Sequence, residues 1–205
     1  MNQGKLKVYG DARSGNCYKI QLLCAEMGIE YDWEEVDILA GDTHTPQFLE
    51  MNPNGKIPTL ALPDGRFLSE SNAILFYLAD GSEFFAGDSY ARAQILQWMN
   101  FEQYSHEPNI ATSRFIIKYL GNPPDRQRIL EEKRTAGYKA LDVMERQLER
   151  WPFITGDKYT IADIALYAYT HVADQGGFDL GDYPGVRAWM DRITQRPKYV
   201  PMAEK

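Results

Sequence analysis

Asn52-Pro53-Asn54-Gly55-Lys56-Ile57-Pro58-Thr59-Leu60 is the stretch from which the fold can be read. It follows a short helical pattern, Thr45–Met51, and opens a strand pattern, Ile57–Leu62. Pro58 stands at the start of that strand, where a residue without an N–H costs the ladder nothing. An Ile57–Pro58 bond is either a trans bond at a sheet edge or a cis bond that presents the Ile57 backbone to a ligand. An extended peptide could pair with such a backbone as an added strand. Downstream, Pro63-Asp64-Gly65 is a turn sequence, so Ile57–Leu62 and Arg66–Leu68 read as a hairpin. Ser69–Ala79 then reads as a helix with Ile74, Leu75 and Leu78 facing inward.

Upstream, Lys5–Tyr9 alternates as a strand, with Leu6 and Val8 on one side. Gly15 to Met27 carries Cys17, Ile20, Cys24 and Met27 on one helical face, closed by Gly28 as a C-cap. Tyr31–Ile38 is strand-like. The order strand, helix, strand, helix, strand, strand, helix predicts a small α/β sandwich over residues 1–80. The segment Gly81–Asp88 reads as a linker. Beyond it every pattern is helical: Ser89–Lys118 with Pro108 as a candidate break, Asp125–Trp151, Thr160–Val172 and Tyr183–Gln195. Asp125–Trp151 is rich in charges at i,i+4 spacing, including Glu145, Glu149, Arg146 and Arg150. Residues 89–205 are therefore expected to form an all-helical second domain. Thr160-Ile161-Ala162-Asp163 is a capping box, with Tyr159 and Ile164 placed for a hydrophobic staple.

Composition narrows the function. The 205 residues are 44% apolar and 25% charged, near globular averages, which excludes collagen-like, disordered and coiled-coil readings. The net charge is −7, a poor match to the clustered Lys and Arg that nucleic acid or anionic lipid requires. The opening MNQGKLKVYG has no apolar core, so no secretory signal is expected, and no run is long enough to span a membrane. Cys17 and Cys24 are seven residues apart, about 10 Å along a helix, too far to pair. Two thiols and no export signal point to a cytoplasmic location. His44, His106 and His171 have no ligand spacing, so no metal site is expected.

Three segments carry chemistry. Ser14-Gly15-Asn16-Cys17 puts a hydroxyl at a helix start, where Ser14 acts either as a plain N-cap or as a donor to an anion. The Asn52–Leu60 stretch is the second. The third, Ser69-Glu70-Ser71-Asn72, offers a carboxylate for an ammonium group and a hydroxyl with a backbone N–H for a carboxylate. Its alternative is capping by Ser69 with Glu70 in the first turn.

Taken together, NPNGKIPTL, the SESNAI segment, the linker, the helical second half and GDKYTIADIALYA resemble the cytosolic glutathione transferase superfamily over nearly the whole chain. The resemblance implies a thioredoxin-like first domain, βαβαββα, that binds glutathione as cosubstrate. It places the Ile57 backbone against the cysteinyl part, with Pro58 cis. Glu70 is placed on the γ-glutamyl ammonium and Ser71 on its carboxylate. Lys56 is assigned to a glutathione carboxylate, with Arg13 and Lys19 as weaker candidates or solvated surface charges. Aligned on Cys17, the position of tyrosine-type classes falls on Gly10, and Tyr9 faces the other side of its strand. The serine-type position falls on Ser14, which is expected to donate to the glutathione sulfur. Cys17 reads as a buried small side chain. A pocket for a hydrophobic electrophile is expected between the domains, with Tyr104, Glu107, Ala111 and Phe115 as lining candidates and His106 as an outside polar contact. The family pattern also implies a homodimer. The alternatives are glutathione-dependent reduction of a disulfide or peroxide, and a non-catalytic glutathione-transferase-like binding protein.

Overall fold

The computed structural model describes residues 5–203. The first four residues, on which part of the N-terminal reading rests, and the last two lie outside the described residues. The chain divides into two compact units, one running to Asp80 and rejoined by the segment from Lys198, the other spanning Gly81–Pro197.

The first unit holds β1 (Leu6–Gly10), α1 (Gly15–Met27), β2 (Tyr31–Glu35), α2 (Pro46–Met51), β3 (Thr59–Ala61), β4 (Phe67–Ser69) and α3 (Ser71–Ala79). This is the element order expected from the sequence, with β2 and β3 shorter at their ends. The strands form one four-stranded sheet in the order β2-β1-β3-β4. β1 runs parallel to β2, with Val8 opposite Trp33, and antiparallel to β3, with Val8 opposite Leu60. The β3–β4 hairpin pairs Leu60 with Leu68 around a turn closed by Gly65 N–H to Leu62 O. The edge strand β2 carries Asp32, Glu34 and Glu35, charges that oppose edge-to-edge pairing.

α1 is buried more widely than its sequence face suggests. Besides Cys17, Ile20 and Cys24, the side chains of Tyr18, Lys19, Leu22 and Leu23 are fully buried. The C-terminal segment accounts for part of this cover. Tyr18 Oη donates to Val200 O at 2.7 Å, and Lys198 Nζ donates to Glu26 O at 3.0 Å. Residues 198–203, expected in the helical domain, thus pack on the first unit. α1 ends as expected at Gly28, whose φ of 68° suits glycine and lets Ile29 N–H reach Cys24 O.

The second unit is helical: α4 (Ser89–Phe101), α5 (Glu107–Arg114), α6 (Gln127–Leu148), α7 (Ile161–Thr170) and α8 (Pro184–Thr194). The Gly81–Asp88 stretch is more than a solvated linker, because Phe84 and Phe85 are buried within this unit. Pro108 does not break the first long helix. The turn before it widens into a π-helix, Glu102–His106, and Pro108 then falls in the first turn of α5. The wider turn relieves the clash a proline ring makes with the preceding turn. A second π-helical stretch, Phe115–Tyr119, ends this arm. α7 is buried on every side and forms the centre of the unit. Glu145 does not work through its i,i+4 neighbours. Its two oxygens accept the Gly185 and Val186 N–H groups at 2.8 and 2.9 Å, tying α6 to the start of α8.

The capping box at α7 forms as read from the sequence. Asp163 Oδ2 accepts Thr160 N–H at 2.9 Å. Oδ1 accepts Ile154 N–H at 2.8 Å and Trp189 Nε1–H at 2.9 Å.

Candidate functional site

The start of α1 is set by Asp11, which is fully buried just past β1. Its carboxylate accepts Arg13 N–H at 2.8 Å and takes the guanidinium in a fork, at 2.9 Å from Nε and 2.7 Å from Nη2. Arg13, expected on a glutathione carboxylate, is therefore held in a bidentate pair with its own turn. Ser14 N–H donates to Asp11 O at 2.9 Å. Ser14 occupies the N-cap position with an extended backbone, yet its hydroxyl does not cap the helix. That hydroxyl is hydrogen-bonded with the Cys17 thiol. Burial pushes the Cys17 thiol up to about 12, against the opposing effect of that bond, so Cys17 stays protonated. Cys24 is likewise pushed up to about 12 by burial. Neither cysteine is in a disulfide.

Gly10 has no room for a side chain. A Cβ there would lie 2.7 Å from Cys17 Sγ and 2.9 Å from the Trp33 ring. A tyrosine could not occupy this position without displacing the start of α1.

The loop between α2 and β3 is organised by Asn52, which is buried. Its Nδ2 donates to Lys56 O at 2.7 Å and Thr59 Oγ1 at 3.3 Å, while its Oδ1 accepts Asn54 N–H at 3.1 Å. The Ile57–Pro58 bond is cis. The sheet register of β3 begins at Thr59, two residues beyond Ile57, so the Ile57 backbone precedes the ladder. Lys56 is exposed and Ile57 half-buried.

α3 starts differently from its sequence reading. Ser69 is the last residue of β4, and the N-cap position falls to Glu70. Glu70 has φ 68° and ψ 113°, strained for a residue with a side chain, and its carboxylate does not cap the helix. Asn54 Nδ2 reaches Glu70 Oε1 at 3.5 Å, joining this helix start to the Asn52 loop. Ser71 is buried, and its Oγ donates to Asn16 Oδ1 at 3.0 Å, joining α3 to α1. Lys19 is fully buried, contrary to a solvated surface charge, and its Nζ donates to Ser71 Oγ at 3.2 Å and Asn72 Oδ1 at 3.3 Å.

The three segments singled out in the sequence are thus linked by side-chain hydrogen bonds. Asn16 and Asn54 do the linking, Asp11 orders the turn before α1, and none of the three was given a role in the sequence reading. Asn16 and Asn54 sat inside the quoted motifs, two residues from Ser14 and from Lys56, and that adjacency was the available signal.

The second-unit candidates do not form one lining. Tyr104 is 89% exposed in the π-helical turn and borders a groove of about 330 Å³ with Phe101, Asn109 and Ala140. Glu107, Ala111 and Phe115 are half-buried outside that groove. The π-turn shifts the helical register between Tyr104 and the other three. His106 is fully buried, with Nε2 2.9 Å from Thr170 Oγ1, rather than at a ligand surface. Among the described residues, no group of three His, Cys, Asp or Glu side chains stands together to hold a metal ion.

A four-stranded sheet in this order, with hydroxyl and carboxylate groups at two helix starts and a helical unit appended, defines a thioredoxin-like protein with an all-α C-terminal domain. The family described as glutathione S-transferase, N-terminal domain, matches residues 13–80, and its C-terminal domain counterpart matches residues 127–192. The chain is 59% identical to a solved glutathione S-transferase from Pseudomonas fluorescens, with TM-score 0.96 over 98% of this chain and 100% of that one. A glutathione transferase family member from the same species, solved with two glutathione bound, is 28% identical, with TM-score 0.84 over 97% of this chain and 92% of that one. A curated relative, a disulfide-bond oxidoreductase of Escherichia coli, is 31% identical over 193 residues, 91% of this chain and 89% of that protein. The chain belongs to the glutathione S-transferase family.

Proposed function

We propose that the chain is a serine-type glutathione transferase that ionises bound glutathione for attack on a hydrophobic electrophile. The observation that carries this reading is the Ser14 hydroxyl, which stands at the start of α1 without capping it. Cys17 is kept protonated by burial, so it holds no thiolate that competes with the glutathione sulfur for the Ser14 hydroxyl. The serine proton is then left to donate to the glutathione sulfur. A free thiol titrates near about 8.5, and lowering it by about two units takes about 2.7 kcal/mol. One charge-assisted hydrogen bond and a helix N-terminus can supply this.

In this reading the Ile57 backbone pairs with the cysteinyl part of glutathione. Glu70 accepts from the γ-glutamyl ammonium, and the start of α3 at Ser71 takes its carboxylate. Lys56, exposed beside Ile57, serves the glycyl carboxylate, with Arg13 as a second cation. The thiolate forms a carbon–sulfur bond and displaces a leaving group from the electrophile. Two buried free cysteines accord with a reducing cytoplasm. No helix among the described residues is long and apolar enough to cross a membrane. A homodimer is proposed from the family pattern.

The likeness to the Escherichia coli disulfide-bond oxidoreductase favours one second reading, glutathione-dependent disulfide reduction. There the same thiolate attacks a mixed disulfide, giving glutathione disulfide and a released thiol. Steady-state kinetics with a nitro-activated aryl halide and with a mixed disulfide separates the two. Conjugation is expected, with kcat/KM falling roughly fiftyfold in Ser14→Ala at pH 6.5, the change in ionised fraction for a two-unit shift. Disulfide turnover without any conjugation would replace the first reading by the second.

A further inference from the structure

Asp11 is fully buried in the turn between β1 and α1, three residues before Ser14. Burying a carboxylate is costly unless it is paired and hydrogen-bonded. The turn explains why one is kept. Asp11 Oδ1 accepts Arg13 N–H at 2.8 Å, Asp11 O accepts Ser14 N–H at 2.9 Å, and Ala12 N–H goes to Glu35 Oε1 at 3.3 Å. Three successive N–H groups are thus taken up before the helix begins, which fixes where the Ser14 hydroxyl stands. The same carboxylate works against the chemistry. Asp11 and Glu35 both oppose a negative charge on the Cys17 sulfur, and the Cys17 thiol is hydrogen-bonded with the Ser14 hydroxyl. A glutathione sulfur held by that hydroxyl lies one hydrogen bond further on, in the same field. Glu35 reaches this place from β2 and is exposed, so water and salt screen it. Asp11 is shielded from water, and its countercharge is Arg13, whose Nε and Nη2 meet its two oxygens at 2.9 and 2.7 Å.

We propose that Arg13 is a positioning residue that acts through Asp11: its guanidinium cancels the field of the buried carboxylate at the place where glutathione becomes a thiolate. This rests on the glutathione reading above, and it gives Arg13 a role separate from any contact with the glycyl carboxylate. Asp11 orders the turn that presents Ser14, and Arg13 lets the turn keep that acid without making the bound thiol harder to ionise. With the guanidinium gone, the carboxylate would stand unpaired in a low-dielectric place, where a charge acts over several ångströms. A like charge so placed raises the pKa of a group that must become an anion. The fork of Arg13 matches both oxygens at once, which a lysine ammonium does not.

The test is a pH titration of glutathione bound at saturation, followed by thiolate absorbance, in wild type, Arg13→Gln, Asp11→Asn and the double variant. Saturation keeps any effect of Arg13 on affinity out of the result. In Arg13→Gln the bound thiol is expected to titrate about one unit above its wild-type value, roughly a tenfold loss of thiolate at low pH. In Asp11→Asn, whose amide oxygen can still accept Arg13 N–H, it is expected about half a unit below wild type. The double variant is expected within about 0.3 units of wild type, because without the carboxylate the guanidinium has nothing to cancel. A double variant that titrates as high as Arg13→Gln places Arg13 on the thiolate itself and overturns the proposal. An unshifted thiol in Arg13→Gln overturns it as well, and both results leave the glutathione reading standing. Should Arg13→Gln not fold, Asp11→Asn decides: a thiol raised or unchanged there overturns the proposal. Wild type that binds no glutathione, or binds it with the thiol unshifted, would instead sink the glutathione reading itself, and this proposal with it.

Discussion

Two kinds of helix start occur in this chain, and they behave oppositely. At α7 the polar groups close on themselves: Asp163 is fully buried, and its oxygens take up Thr160, Ile154 and Trp189 N–H groups. At α1 and α3 neither Ser14 nor Glu70 caps its helix, and Glu70 holds a strained backbone while its carboxylate stays exposed. The residue types are similar, hydroxyls and carboxylates at N-termini. Whether the helix consumes its own cap separates a structural device from a candidate site. A satisfied N-terminus stabilises the fold, and one left uncapped keeps N–H groups and dipole for a ligand.

The largest expected effect is on the closed end. Asp163→Ala leaves the N–H groups of Ile154, Thr160 and Trp189 buried without their acceptor. A loss of about 4 kcal/mol in urea unfolding is expected. Stability equal to wild type would mean the box contributes nothing and the contrast between the two ends fails.

A pH series sharpens the same point. Burial pushes the Asp163 carboxyl up to about 6, against the hydrogen bonds it accepts. That value lies above the roughly 3.9 of an unfolded aspartate, so the folded state binds this proton the more tightly. Its contribution is greatest below about pH 4 and is lost as pH rises through about 6, a change of about 2–3 kcal/mol. The protonated form can keep its contacts, because the acid proton can donate to Thr160 Oγ1, which lies 3.2 Å from Oδ2. The unfolding free energy of wild type minus that of Asp163→Asn should decline between pH 4 and 6 and be flat above. A difference independent of pH would place the carboxyl at an ordinary value.

The smallest stability change comes from the open end. Glu70→Gly relieves the positive φ and should stabilise the chain by about 1 kcal/mol, while glutathione affinity drops at least tenfold. A destabilised variant with unaltered affinity would make Glu70 a structural residue.

Local chemistry was legible in the sequence. The Thr160-Ile161-Ala162-Asp163 box, the Pro63-Asp64-Gly65 turn and the Gly28 cap are written within a few residues, and each formed. What depends on distant partners was not legible. Lys19 read either as a weaker candidate for a ligand carboxylate or as a surface charge, because the Ser71 that its ammonium meets lies on α3, about fifty residues on. Glu145 read as one charge in a helical pattern, whereas its partners lie on α8, forty residues away. Glu70 read as a first-turn acid because no local rule places a non-glycine residue at φ 68°. The return of Val200 to cover Tyr18 left no periodic signal at all. The candidate site lies between these cases: its three segments were visible as motifs, and the asparagines that join them were not.

The central claim is that the open start of α1 lowers the pKa of a bound thiol. The measurement is a pH titration of glutathione bound to the wild-type protein and to Ser14→Ala, followed by the ultraviolet absorbance of the thiolate. The expected result is a thiol titrating about two units below its free value of about 8.5 in wild type and near the free value in Ser14→Ala. Glutathione bound with an unshifted thiol, or a shift that survives Ser14→Ala, would contradict it.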